Sequence, residues 1–110
     1  MHDRAEALKV IQPELIGNLR FFTTEAGGPK TRKTLGWSCP AFVRLNQHSP
    51  PGWDCFPKFT EAGLGPGEEA ELGFVFLSGE TAAKCFLEAG QMFLWEFRFI
   101  GEVTNLRQAK

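Results

Sequence analysis

Three basic residues, Lys30, Arg32 and Lys33, follow directly on a Gly27-Gly28-Pro29 turn. A rigid turn carrying that charge can position a phosphate backbone. The plainer reading is a solvated loop, because no exposed aromatics interleave with the charges as single-strand binding requires. Trp37 and Trp53 each stand beside a loop, and interface energy concentrates in such residues, although a barrel cap uses Trp equally well. Cys55 and His48 are the types of a thiol nucleophile and its base. They lie on a loop and its exit without an orienting Asn or Asp motif, and Asp54 beside Cys55 would raise the thiol pKa. That pairing is too thin for a triad, and the chain is read as a non-enzyme. Glu68, Glu69 and Glu71 lack the Asp-x-Asp spacing of a cation loop; they read as the wet face of a strand. No metal, cofactor or nucleotide is expected.

The elements that position these residues follow from composition and period. The chain has 110 residues, the size of one domain, with a formal charge of −1. That balance gives no global field to attract nucleic acid or an anionic membrane. Eleven Phe and 3 Trp against no Tyr favour strands, while 12 Gly and 7 Pro supply turns. An all-β sandwich or barrel is expected. The three cysteines, Cys39, Cys55 and Cys85, form no Cys-x-x-Cys and read as free thiols. With no apolar run long enough for a bilayer and a polar start, the expected setting is cytoplasmic, with no membrane contact.

Along the chain, residues 1–14 read as a short helical extension stopped by Pro13, and 15–110 as the domain. Leu19 to Thr23 has strand composition, and the turn at 26–29 ends it. A strand over Trp37–Leu45 is predicted, with Pro40 confining its start to an edge or bulge. Residues 46–53 form a loop, and Asp54–Phe59 a short strand limited by Pro57. Alternation over Glu69–Phe76 predicts a half-buried strand. A short helical turn is expected through Ala82-Ala83-Lys84, ended by Gly90. In the last segment Phe93, Trp95, Phe97 and Phe99 share one face, with Trp95 assigned to the core. Met92 to Val103 reads either as one long bent strand or as two tight ones.

The order of the motifs resembles the C-terminal, third domain of the elongation factor Tu family. The residues that carry the resemblance are Glu25-Ala26-Gly27-Gly28-Pro29-Lys30-Thr31, then Gly36-Trp37-Ser38-Cys39-Pro40-Ala41-Phe42, then Pro66-Gly67-Glu68, and finally Glu96, Arg98, Ile100, Gly101 and Val103. It spans roughly residues 15–105. It implies a closed, six-stranded antiparallel barrel of Greek-key type, without a GTPase. In the family this barrel docks on neighbouring domains, the tRNA T-stem and an exchange partner. Glu96 matches a strand glutamate near the tRNA side, whereas Ala41 and Cys39 replace the Gln and Arg of the family's Arg-Pro-Gln-Phe motif.

The sequence therefore points to a non-catalytic binding module for a protein partner. The residues chosen for that role are Lys30, Arg32, Lys33, Trp37, Trp53 and Glu96. Translation-related binding of tRNA, other RNA or a translation factor is the second reading, a cysteine enzyme the third, and a homodimer is compatible with all three.

Overall fold

A period of two puts Leu15, Gly17, Leu19 and Phe21 on the buried side of β1 (Leu15–Phe21), with Ile16, Asn18 and Arg20 outside. The same alternation recurs in β2 (Cys39–Phe42), β3 (Trp53–Pro57), β4 (Glu69–Phe76), β5 (Met92–Trp95) and the start of β6 (Phe99–Gln108). Two helices complete the chain, α1 (Arg4–Val10) and α2 (Glu80–Ala89). The computed structural model describes residues 4–45 and 52–109; the expected loop at 46–53, with His48, lies largely outside them.

The six strands close into a barrel in the order β1-β4-β3-β2-β5-β6, every pair antiparallel. Consecutive strands β2, β3 and β4 are neighbours and β1 lies beside β4, a Greek-key arrangement. Closure pairs every strand on both sides and leaves no sheet edge. Leu19 faces Val103 on one side and Ala70 on the other. The narrow middle of the barrel is filled by Leu19, Leu72, Leu94 and Val103, all buried.

Rings close the two ends. At the start of β1, Phe76 stacks on Phe86 of α2, with ring centroids 5.4 Å apart. Ala82, Ala83 and Phe86 form the buried face of that helix, and Gly90, in the left-handed region, ends it by donating its N–H to the Phe86 carbonyl. At the end of β1, Phe21, Trp37 and Phe59 meet with centroids 6.1–6.3 Å apart. The N-terminal helix packs on the side of the barrel, where Leu8 is buried and Arg4 lies 5.4 Å from the Phe56 ring centroid.

Several expectations need correction. Trp95 is exposed, and the core of β5 is the opposite face, Met92 and Leu94. The turn at Glu96–Arg98 sets Trp95 opposite Phe99, so these bulky rings stand outside while the smaller aliphatic chains fill the interior. The last segment takes the second of its two expected forms, two strands. β2 is shorter than Trp37–Leu45; it is paired on both sides, but Pro40 at its start pairs only with Asp54 of β3. The helical turn expected at Ala82–Lys84 is a full ten-residue helix, because its apolar face plugs the barrel.

Candidate functional site

The Gly-Gly turn is built by backbone contacts. Gly28 donates its N–H to the Thr23 carbonyl at 2.8 Å, and Ala26 does the same at 3.0 Å. A Cβ on Gly28 would run into the Phe22 carbonyl, so only glycine fits there. Beyond it Pro29 is buried and Lys30 exposed. The loop is then pinned by reciprocal hydrogen bonds of 2.9 Å between the Lys33 and Leu64 backbones.

The three basic residues of this loop do not form one patch. Arg32 turns away, donating to the Ala62 carbonyl at 2.9 Å and pairing with Glu68 at 2.7 Å. The backbone N–H of Gly65, followed by Arg32, holds the Glu68 carboxyl below its usual pKa. Lys33 turns inward. Its ammonium, on a side chain only 11% exposed, lies 2.8 Å from a Glu96 carboxylate oxygen and 5.2 Å from the Trp37 ring centroid. Trp37 donates its indole N–H to the other Glu96 oxygen at 3.0 Å. Burial pushes the Glu96 carboxyl up, but the hydrogen bonds from Lys33 and Trp37 and the nearby ammonium charge outweigh it, so its pKa falls below the ordinary value. Lys33, Trp37 and Glu96 thus form a charge-neutral clasp over the ring cluster at this end.

The β5–β6 turn forms the opposite wall. Glu96 donates its backbone N–H to the Arg98 carbonyl at 2.7 Å, with Phe97 at the apex. Phe97 has φ 64° and is 87% exposed. A bulky residue in this region carries roughly 1–2 kcal/mol of backbone strain, and hairpin turns normally place Gly there. Arg98 is exposed, and its stem runs along the Gly27 turn: a Cβ on Gly27 would lie 3.6 Å from Arg98 Cδ. Between loop and turn opens a cleft of about 360 Å³, lined by Lys30, Lys33, Glu96, Phe97 and Arg98. Its size is at the low end for small-ligand pockets.

No family model, curated protein or solved structure matches the chain. The site is read from its own chemistry. Of the six residues chosen from sequence, Lys33, Trp37 and Glu96 converge and Lys30 lines the same cleft. Arg32 serves a separate contact. Trp53 sits near the far end: it faces Ala41 on β2, two residues past the Cys39–Cys55 pair, and packs half-buried against the core. Phe97 and Arg98 also line this cleft; neither is among the six, because the sequence reads Phe97 as part of a strand face rather than as the apex of a turn. Cys55 is fully buried, and that burial, followed by the neighbouring Cys39, pushes its thiol well above the ordinary range. Among the described residues no three His, Cys, Asp or Glu side chains gather as metal ligands, and no helix is long and apolar enough to cross a membrane.

Proposed function

We propose that the chain is a non-catalytic binding module that engages a protein partner at the cleft between the Gly28–Lys33 loop and the β5–β6 turn. The observation that carries this reading is Phe97. It combines an unfavourable backbone conformation with nearly complete exposure of an apolar ring, and among the described residues no other ring packs on it. Strain and exposure coinciding at one position favour a role outside the fold. Trp95 and the half-buried Phe93 and Phe99 extend the apolar surface along the outer face of β5 and β6.

The resemblance to the third domain of the elongation factor Tu family fits a module of this kind and stands as a proposal beside it. RNA is the second reading. It loses support because Arg32 and Lys33, two of its three cations, are neutralised by Glu68 and Glu96. Capture from lysate with and without nuclease, using wild type and Phe97→Gly, separates the two. A nuclease-resistant protein lost with Phe97→Gly is expected; tRNA lost on nuclease treatment would replace this reading with the second.

A further inference from the structure

We infer that the cleft takes an acidic peptide segment of the partner, with one apolar side chain placed against Phe97; this rests on the protein-binding reading above. The charge balance of the cleft decides the sign. Lys33 and Glu96 cancel each other at 2.8 Å. Glu68 is engaged by Arg32 and Glu102 by Arg20, at 2.7 and 2.6 Å, while Glu25 and Glu61, exposed in neighbouring turns, do not line the cleft. Lys30 and Arg98 remain, exposed, lining opposite walls, with no ion pair among the described residues. The Arg98 stem passes close to Gly27, where an added Cβ would lie 3.6 Å from Arg98 Cδ. A guanidinium so placed suits two-point contact with a carboxylate.

The geometry also limits the mode of recognition. A closed barrel has no edge for a partner strand to extend. Recognition falls to side chains, and Phe97 provides an apolar shelf in the same cleft as the two cations. A pair of rim cations governs encounter rate and salt dependence, while the desolvated ring contact governs residence.

The test is selection of random 12-residue peptides displayed on phage. The enriched sequence is then made as a fluorescein-labelled peptide and titrated against wild type, Phe97→Gly and the Lys30→Glu/Arg98→Glu double variant. All three positions are exposed, and thermal melts check that each variant folds. The expected consensus is acidic with one apolar residue. Affinity should fall about tenfold or more in each variant, and several-fold between low salt and about 0.5 M salt. A neutral or basic consensus, or an affinity unmoved by charge reversal, overturns the acidic segment; if Phe97→Gly still abolishes binding, the protein-binding reading survives. No enrichment over the variants overturns the acidic segment as well. A labelled mixed-sequence single-stranded RNA 12-mer that binds more tightly than the peptide, through the same residues, overturns it in favour of nucleic acid.

Discussion

The two ends of the barrel are closed by the same physics and finished differently. At one end α2 lays Ala82, Ala83 and Phe86 on Phe76, and its exposed side is polar. The cleft beside it is the larger, about 440 Å³, but its charges are mixed: Glu14, Glu80 and Lys84 line it together, and Glu14 accepts the Phe76 N–H at 2.9 Å. At the other end the ring cluster of Phe21, Trp37 and Phe59 is capped by the Lys33–Glu96 clasp. There the rim carries Phe97, strained and exposed, in a cleft that Lys30 and Arg98 also line. The α2 end also exposes an apolar side chain, Leu77 at 72%, but on backbone outside the left-handed region. The other holds a residue that stability does not explain.

That contrast is open to direct attack. Phe21→Ala and Phe86→Ala should each lower unfolding free energy by about 3–5 kcal/mol, as measured by urea denaturation; a much smaller loss at Phe21 would mean that the clasp end is not a true core. Glu96→Gln should remove about 1 kcal/mol after allowance for solvent screening. Because the folded carboxyl has the lower pKa, this contribution is complete above its ordinary pKa and fades as pH falls through the lowered one. The gap between wild type and Glu96→Gln in urea titrations should therefore close in acid; a gap that widens would reverse the assignment of the clasp. Phe97→Gly should raise stability by up to about 1 kcal/mol while binding is lost, so a melting temperature that drops would place Phe97 in the fold rather than at a docking surface. Smallest of all is the response of Cys39 and Cys55 to iodoacetamide in the native state. Both are buried with pKa values pushed up by that burial, and mass spectrometry should find them unmodified until the barrel unfolds.

Much of the architecture was legible because strands and turns are local. Alternation located Glu69–Phe76 to the residue, and Gly27-Gly28-Pro29 marked the turn that now forms a wall of the cleft. The faces of β5 were not legible, since a period of two identifies two faces without saying which is inside. Phe93, Trp95 and Phe99 are the more hydrophobic-looking set, yet the tight Glu96–Arg98 turn fixes a register that sends Met92 and Leu94 inward. The clasp is harder still. Lys33 and Glu96 stand 63 positions apart, and only barrel closure makes them neighbours, so the sequence reads Lys33 as one of a basic cluster and Glu96 as a strand residue. Phe97 escaped notice for a related reason: a positive φ belongs to the closed turn and not to the residue type.

The way the chain enters and leaves the barrel has a mechanical consequence. Glu14 and Ala109 are joined by a hydrogen bond of 3.4 Å, and Leu15 faces Gln108 in the first rung of the β1–β6 seam. Tension applied to the two chain ends would load that seam one rung at a time, like opening a zipper, because antiparallel hydrogen bonds lie across the strands. The rim that carries Phe97, at the far end of the same seam, would be the last place the pull arrives.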